Sequence, residues 1–495
     1  MSTPSGDPFI VSLDVGSSSV RALLFDCGAR QMEGYGAQLP YRIRTTPDGG
    51  AEVDPDALAE LTIDCLDELH RQIEAAGFQI AAVAGSAFWH SFCGVDAKGK
   101  PTLPILHLLD TRSGDQVSKV PDAHERTGCV PHSSYWPAKL LWLAANRPDE
   151  FRATKRFLSF PEYLYLKLFG SPRASTSMVS ATGLWDQNNS DYDAETLAAL
   201  PICREQLADP VSLDQSENQL LPQYRRLWPE FAKARWFPAL GDGACNSIGS
   251  GCVSTDRAAL MVGTTGAMRL VSDAPEAQSP QAKIAPGLWR YRVDKSRIVT
   301  GGALSNGGDV YAWMKRNLAL PKDIEARLES AAPGSHGLKM LPFFSGERTP
   351  YWRADLRASI TGLSASTGAF DIAHAALESV ALRFREIYSL LAAPWGAPAE
   401  VIASGGALLH SPAWTQMMAD ALGRPVTICT ENEASCRGAA LWALERLDII
   451  DGIGALPAST GAVFTPRPEY QSAYQELLAQ QNQLYERLYP SYNPG

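Results

Sequence analysis

Two stretches of the sequence, Asp14–Leu23 (DVGSSSVRAL) and Val262–Leu270 (VGTTGAMRL), share one pattern. Each passes from an apolar strand through a turn of glycine and hydroxyl residues into a second strand, which is typical of a β-hairpin. The two stretches lie about half the chain apart, so they predict an internal duplication in which two related domains each open with such a turn. A chance likeness between two short hairpins is the alternative.

Strands and helices alternate around these hairpins. Phe9–Val15 and Val20–Asp26 are apolar runs typical of strands, and a third strand is expected near Met32–Tyr41. Asp54–Ala76 carries apolar residues at helical spacing, and Asp371–Ala392 does the same with its first residue as the expected N-cap. An α/β architecture follows from this alternation.

Small and polar residues in Gly249–Asp256 interrupt the pattern and predict a domain boundary. After the boundary, Val401–Gly406 is expected to form a strand, and a helix is expected to begin at Ser411-Pro412. Tyr470–Leu488 is expected to be a last amphipathic helix that packs on the body of the protein.

The 495 residues carry 44 basic and 54 acidic side chains, a net charge of -10. The chain has no dense run of lysine or arginine, so no nucleic-acid partner is expected. No apolar run approaches the roughly 18 residues that span a membrane, so no membrane association is expected. Nine dispersed cysteines without a CxxC pair argue against a zinc ribbon and a disulfide framework, and indicate a cytoplasmic protein with reduced thiols.

The first turn offers groups that suit the phosphates of a nucleotide. Gly16 lets backbone amides come close to a ligand, and Ser17, Ser18 and Arg21 can donate to phosphate oxygens. Asp14, at the end of a strand, can hold Mg²⁺ directly or through water. The alternative is an ordinary hairpin turn capped by its own side chains, but the second turn of the same kind favours a pair of phosphate-binding turns.

Asp242 stands between Gly241 and Gly243, after an apolar stretch and before a helix of small residues. An acid at such a turn suits a base for a substrate hydroxyl, although taken alone the pattern favours a cap for the helix. The turn Ser404–Ala407 follows another strand and can receive a flat ring or a ribose. The chain has neither GxxxxGK[ST] nor a GxGxxG after a strand, so a P-loop enzyme and a Rossmann dinucleotide site are not expected.

Together these residues resemble the FGGY family of carbohydrate kinases over roughly Phe9–Leu447. Ala358–Leu363 followed by Asp371–Glu378 is similar to the C-terminal signature of that family. The resemblance implies an α/β fold of two actin-like (ribonuclease H-like) domains with a cleft between them. Residues 8–248 would carry the sugar site, residues 256–447 would bind the nucleotide, and residues 448–495 would form a helical extension.

The resemblance also implies an enzyme that uses ATP and Mg²⁺. It assigns Asp14 to the metal, and Asp242 to the base that takes the proton of the attacking hydroxyl. Trp89 and His90 would line the sugar pocket, because tryptophan suits the apolar face of a polyol and histidine suits its hydroxyls. The phosphates and the adenosine would be held by small, hydroxyl, amide and basic residues: Ser17, Ser18, Arg21, Gly263, Thr264, Gly302, Asn306, Gly405 and Gly406.

Within the family, Trp89–Ser91, Asp110–Ser113 and His132–Tyr135 look most like the gluconate kinases. Trp136 departs from the N-terminal signature, which has a small residue or proline there, and Gly346–Pro350 is similar to xylulose kinases as well. The expected substrate is therefore a sugar or sugar acid, with gluconate as the first candidate and xylulose or another ketopentose or polyol as the alternative.

The carboxylate of a sugar acid needs a cation or a cluster of amides, and Lys139, Arg112 and Arg348 are the candidate cations. A different class of protein, an actin-like ATP-binding protein without catalytic activity, is the second alternative. Asp242 beside a pocket with an aromatic residue and a histidine argues for the enzyme. Apart from a small-molecule substrate, the one partner left open is a second copy of the chain in a homodimer.

Overall fold

The structure is a computed structural model and describes residues 8–211, 216, 219–276 and 278–490. The chain divides into two compact units. The first unit comprises the chain up to Gly249 together with Arg290–Val299 and Asn432–Pro457, and the second comprises the remaining segments. The chain leaves the first unit at Gly249, where the sequence predicted a break. The return of residues 290–299 and 432–457 to the first unit differs from the expected continuous division at residues 248, 256 and 447.

Each unit has a central β-sheet. The strands of the two sheets are β1 (Phe9–Val15), β2 (Ser19–Phe25), β3 (Gln31–Pro40), β4 (Ile80–Ala87), β5 (Arg235–Gly241), β6 (Arg257–Val262), β7 (Gly266–Asp273), β8 (Arg297–Leu304), β9 (Glu400–Ser404), β10 (Val426–Cys429) and β11 (Thr460–Phe464). A further short strand, Trp289–Arg292, lies beside β8 at the edge of the second sheet. Short strands outside these sheets are Arg44–Thr45, Ala51–Val53, Phe92–Val95, Pro101–Leu106, Arg156–Leu158, Ala174–Ser175, Trp185–Asp186, Asp191–Tyr192, Pro210–Val211, Lys339–Leu341 and Ser359–Thr361.

The central sheet of the first unit has the strand order β5-β4-β1-β2-β3. β1 and β2 form the antiparallel hairpin expected from the sequence, and β3 continues it. β4 runs parallel to β1, and β5 runs parallel to β4. The carboxyl ends of β1, β4 and β5 therefore meet at one edge of the sheet, where ligands commonly bind in α/β folds.

The second unit repeats this arrangement. Its sheet contains the order β8-β7-β6-β9-β10-β11. β6 and β7 form an antiparallel hairpin, and β9 and β10 follow as parallel strands. The first five strands of both units thus have the same order, which supports the duplication that the two similar stretches predicted. β11 adds an antiparallel edge strand within the segment 448–495, where the sequence predicted only a helical extension.

Helices cover both sheets. The longer or functionally placed helices are α1 (Pro55–Ala76), α2 (Trp136–Asn146), α3 (Asp242–Gly249), α4 (Gly308–Asn317), α5 (Ala369–Trp395), α6 (Pro412–Leu422), α7 (Ala434–Arg446) and α8 (Gln471–Leu488). Shorter α-helices are His124–Thr127, Pro148–Ala153, Phe160–Phe169, Thr176–Val179, Ala194–Ala198, Pro222–Leu227, Ile324–Ser330 and Gly406–Leu409. Within the described residues, no helix combines the length and the apolarity that crossing a membrane requires.

The ends of α1 follow from local chemistry. The Asp54 carboxylate accepts from Asp56 N at 2.9 Å and from Ala57 N at 3.1 Å, which satisfies amide groups that the helix itself cannot bond. Gly77 ends the helix at φ 73°, the left-handed region that favours glycine. The helix predicted at Asp54–Ala76 is therefore confirmed.

The start of α5 corrects one expectation. The helix begins at Ala369, two residues before the Asp371 that was expected to cap it. Gly368 is the N-cap residue, and Asp371 reaches back one turn so that its Oδ2 accepts from Gly368 N at 2.8 Å. This is the second half of a capping box, and it stabilises the same helix end from inside the helix.

Close contact between α3 and α7 explains why residues 432–457 belong to the first unit. A Cβ atom at Gly249 would lie 1.8 Å from Ala434 O, and one at Gly438 would lie 1.9 Å from Cys245 O. The two helices therefore run antiparallel with their backbones in contact, which only glycine permits at these positions. Arg437 reinforces the crossing, because its Nη1 donates to Gly249 O at 2.8 Å.

We expect Gly438→Ala to destabilise the first unit. The added methyl group would overlap a backbone carbonyl that a helix holds in place, and overpacking of this kind costs about 1–3 kcal/mol. Gly114→Ala is the matched control, because a Cβ atom at Gly114 meets nothing within 4 Å. Thermal unfolding should show a midpoint several degrees lower for Gly438→Ala and nearly unchanged for Gly114→Ala. Equal midpoints for both variants would contradict the close crossing.

Candidate active site

The turn between β1 and β2 is stabilised by hydrogen bonds from Tyr41. Gly16 N donates to Ser19 O at 3.0 Å and closes the turn. The Tyr41 hydroxyl donates to Gly16 O at 2.6 Å, and Tyr41 N donates to Ser18 O at 3.0 Å. Ser17 and Ser18 are exposed at the tip, where their hydroxyls can meet a ligand. The role of Tyr41 was not predicted, because nothing in the sequence around it indicates a hydrogen bond to Gly16.

Asp14 and Arg21 face each other across the hairpin, where the strand register pairs them. Arg21 Nη1 donates to Asp14 Oδ2 at 3.0 Å. Asp14 is only 3% exposed, and this burial raises the pKa of its carboxyl, an effect that the nearby Ser86 hydroxyl and the charge of Arg21 partly oppose. Arg21 Nε lies 3.4 Å from Glu433 Oε2 next to the start of α7. The guanidinium is thus shared by two carboxylates, of which Glu433 was not predicted.

The environment of Asp14 fits a magnesium ion. Its Oδ1 atom is buried and accepts no hydrogen bond from any described residue. Mg²⁺ prefers such oxygen ligands, and it usually takes one or two carboxylates and completes its shell with water and substrate phosphates. The described part of the chain contains no group of three His, Cys, Asp or Glu side chains that could enclose a metal. A site built on Asp14 would therefore bind the metal together with a nucleotide.

Asp242 begins α3 directly after β5. In the parallel part of the sheet, Ser86 of β4 pairs with Asp14 on one side and with Leu240 on the other. The two acids therefore lie near the carboxyl ends of strands that are two positions apart, a spacing of roughly 10 Å. Cys245 lies close enough to both acids to be affected by their charges. Burial raises the pKa of its thiol most, and the charges of Asp14 and Asp242 raise it further.

Trp89 supports the strand end that carries Asp242. A Cβ atom at Gly241 would lie 1.7 Å from Trp89 Cε2, so the indole packs directly on the backbone there. Trp89 Nε1 donates to Ser177 O at 3.1 Å, and Gly241 N donates to Ser177 Oγ at the same distance. Trp89 is only 5% exposed, and most of its ring is therefore covered. The structure places Trp89 against the backbone of Gly241, next to Asp242 in the sequence, more than along an open wall for a sugar.

His90 belongs to a cluster of aromatic rings next to Trp89. Its ring centre lies 5.0 Å from that of Tyr135 and 5.4 Å from that of Tyr291, and its Nδ1 lies 2.7 Å from Ala181 O. The two tyrosine hydroxyls are 2.6 Å apart, and both tyrosines are buried. His90 is partly exposed and takes a φ of 66°, which is uncommon for a residue with a side chain. Tyr291 was missed because residues 290–299 return to the first unit from far along the chain.

The candidate cations for a sugar carboxylate are engaged inside the protein. Lys139 is 1% exposed and donates to backbone carbonyls. Arg112 donates to Asp110 and, at 2.7 Å, to Glu52 Oε1. In the second unit, Arg348 Nη2 donates to Leu304 O at 2.9 Å. The contacts of Lys139 and Arg112 indicate structural roles for both side chains.

Three turns converge in the second unit. Gly308 N donates to Gly263 O at 2.7 Å, and Gly307 N donates to Thr264 O at 3.2 Å. Gly405 has a φ of 90°, and a Cβ atom there would lie 2.5 Å from Val262 O. The predicted phosphate turn, the start of α4 and the turn after β9 are therefore in backbone contact. Thr264 and Gly406 are exposed at this place, where a nucleotide could reach their polar groups.

Gly302 and Asn306 lie deeper than these turns. A Cβ atom at Gly302 would lie 2.8 Å from carbon atoms of both Ile387 and Thr349, so this glycine is needed for packing inside the unit. Asn306 is 3% exposed. Its Nδ2 donates to Gly346 O at 2.7 Å, and its Oδ1 accepts from Ser345 N at 2.9 Å. Through these two hydrogen bonds, Asn306 stabilises the turn at residues 345–346. Its role in binding the nucleotide stays a prediction.

Comparison with known proteins agrees with this geometry. Residues 9–229 match the N-terminal domain of the FGGY family of carbohydrate kinases, and residues 258–445 match its C-terminal domain. A gluconokinase of Bacillus subtilis is 25% identical over 486 residues, which cover 94% of this chain and 93% of that protein.

Solved structures give the same result. A gluconate kinase from Lactobacillus acidophilus superimposes with a TM-score of 0.90 at 25% identity, and the match covers 98% of this chain and 99% of that one. A xylulose kinase from the same organism gives a TM-score of 0.89 at 25% identity, with the same coverage. The fold is therefore that of two actin-like domains, and with both family domains present the chain belongs to the FGGY family of carbohydrate kinases.

Proposed function

We propose that this protein transfers the γ-phosphoryl group of ATP to a hydroxyl of gluconate, with Asp242 as the base. The observation that carries the proposal is the placement of two acids at the same edge of one sheet, on strands that are two positions apart. Asp14 is buried beside Arg21, and Asp242 is partly exposed after the strand end on which Trp89 packs. The likeness to gluconate kinases supports the choice of substrate. The nine cysteines, which lie in the described part of the chain and form no disulfide, support a cytoplasmic location.

The proposed reaction moves one proton and one phosphoryl group. Asp242 accepts the proton of the sugar hydroxyl as the hydroxyl oxygen bonds to the γ-phosphorus. The bond from that phosphorus to the bridging oxygen breaks, and its electron pair leaves with ADP. Such a transfer depends mainly on positioning and on stabilisation of charge. Arg21 and the exposed hydroxyls of Ser17 and Ser18 supply donors for the phosphate oxygens.

The magnesium ion would be held by Asp14, whose buried Oδ1 atom accepts no hydrogen bond from a described residue. When bound, the ion would neutralise negative charge on the phosphates. In the second unit, the exposed Thr264 and Gly406 support binding of the phosphates and of the adenosine. Arg21 favours the charged form of the Asp14 carboxylate and orients it through the bond to Oδ2.

The second candidate substrate is a neutral ketopentose such as xylulose. The engagement of Lys139 with carbonyls and of Arg112 with Asp110 favours it, because neither cation is then offered to a sugar carboxylate. The likeness to a xylulose kinase supports it as well.

A screen of ADP release over gluconate, xylulose, ribulose, fuculose and glycerol decides between the two candidates. No release with any sugar would favour an ATP-binding protein without catalytic activity.

We expect Asp242→Asn to lower kcat by at least about 10²-fold at neutral pH, because general-base catalysis contributes about 10²–10⁴-fold. Asn preserves the size of the side chain and its capping ability. Asp54→Asn is the matched control, because Asp54 caps α1 through two amides and asparagine can replace it there. Steady-state kinetics on both folded variants provides the measurement. Activity of Asp242→Asn within a few-fold of the wild type would leave this residue only the capping role.

Asp14→Asn should act on the metal. We expect the Mg²⁺ concentration for half-maximal activity to rise at least about tenfold, since even residues behind a metal ligand change affinity by 10–100-fold. Excess Mg²⁺ should restore part of the rate. In the wild type, the raised pKa of Asp14 means that protons compete with the metal at a higher pH than for an ordinary aspartate. The required Mg²⁺ should therefore increase as the pH falls. An unchanged metal requirement in the variant would exclude Asp14 as the ligand.

A further inference from the structure

Lys139 is a buried ammonium group in the first turns of α2. Its side chain donates to three backbone carbonyls: His107 O at 2.8 Å, Ser134 O at 2.9 Å and, more weakly, His90 O at 3.4 Å. An ammonium group has three N–H donors and no acceptor, so these three oxygens match its full capacity. The side chain is therefore oriented completely by the protein.

The three carbonyls belong to three separate segments of the first unit. His90 follows β4, His107 follows the strand Pro101–Leu106, and Ser134 directly precedes α2. The segments of His90 and His107 are already joined, because the strands Phe92–Val95 and Pro101–Leu106 pair and Leu108 N donates to Ser91 Oγ at 3.1 Å. What Lys139 adds is a link from this pair of segments to Ser134, before α2. One cation that bonds to all of them restrains their separation through two short bonds, to His107 O and Ser134 O, and a longer one to His90 O.

Burial of this cation is costly for the fold. It lowers the pKa of Lys139 to about 7, and the charge of Asp110 only partly opposes the shift. The Asp110 carboxylate is itself bonded to Arg112 and to Ala51 N. An apolar side chain of similar length would pack in the same space without a desolvation penalty. A role in packing alone therefore does not explain a lysine at this position.

The segments that Lys139 joins carry the side chains of the proposed sugar site. His90 itself is one of them, and its left-handed backbone needs support from its surroundings. Tyr135, next to Ser134, places its ring 5.0 Å from the ring of His90. Trp89, the neighbour of His90, packs on the strand end before Asp242. A change in the separation of these loops would move His90 relative to the base.

We propose that Lys139 is a positioning residue for the sugar, which acts by fixing the loops of His90 and Ser134 relative to each other. The proposal rests on the proposed kinase function and adds a residue that does not itself touch the substrate. It also excludes Lys139 as a direct partner of a sugar carboxylate, because its donors are already used.

Kinetics of Lys139→Met and Lys139→Gln test the proposal. We expect kcat/KM for the sugar to fall by about 10- to 100-fold in Lys139→Met, the loss that a small misplacement of reacting groups causes. Lys139→Gln retains two N–H donors and should lose less. KM for ATP should stay within a few-fold, a separation that general destabilisation would not give. Lys167→Met is the matched control, because Lys167 pairs with Asp56 on a partly exposed surface.

An NMR spectrum of the histidine side chains provides a second readout that needs no activity. The His90 resonances, assigned with His90→Gln, should shift in Lys139→Met and stay unchanged in Lys167→Met. If the wild-type enzyme phosphorylates no sugar, the proposed function fails while this spectrum still tests the link between Lys139 and His90. Unchanged His90 resonances and unchanged kinetics in a folded Lys139→Met would overturn the proposal. If that variant does not fold, the same measurements on Lys139→Gln decide.

Discussion

The carboxylate of Asp14 is buried at the end of β1, and only the surrounding structure makes its charge acceptable there. Removing a carboxylate from water is unfavourable unless a partner compensates for the lost hydration. Arg21 is that partner, and the hairpin register of β1 and β2 sets it directly opposite. The pairing satisfies one carboxylate oxygen and leaves the other without a hydrogen bond from a described residue, which is the condition for binding a cation with a nucleotide.

This arrangement depends on a distant segment of the chain. Glu433 comes within 3.4 Å of Arg21 because α7 packs on α3, and two glycines permit the contact of their backbones. The same crossing fixes α3, whose first residue is Asp242. The close packing of two helices therefore orients Asp242, the proposed base, and also brings Glu433 to Arg21, the partner of the proposed metal ligand Asp14. A substitution in this helix crossing, far from either acid, can therefore change both the orientation of Asp242 and the ion pairs around Asp14.

Local patterns in the sequence were sufficient for the elements, and insufficient for several side chains of the site. The hairpins, α1 and the helix that follows Asp242 were predicted correctly because glycine turns, caps and apolar spacing act over a few residues. Tyr41, Tyr291 and Glu433 were missed because their contacts depend on tertiary folding, which no short pattern encodes.

The sequence also did not indicate which polar side chains would form hydrogen bonds within the protein and which would remain available to a ligand. Asn306 was expected at the nucleotide, and its amide bonds to the turn at residues 345–346. Lys139 and Arg112 were candidates for a sugar carboxylate, and both are bonded within the first unit. A cation in a sequence is equally suited to a substrate and to a backbone carbonyl, and burial alone decides between them.

This use of charges has a consequence for the choice of substrate. Where a buried cation meets a carboxylate directly, a neutral analogue leaves that cation unpaired and is strongly rejected. Where the cations near the site already have partners, the substrate is recognised by hydrogen bonds and by apolar contact, and a carboxylate and a hydroxymethyl group differ much less. His90 is the partly exposed member of its cluster and can donate to either group. The first unit therefore favours recognition of the polyol chain shared by gluconate and the ketopentoses, and discrimination between them falls to groups other than Lys139 and Arg112.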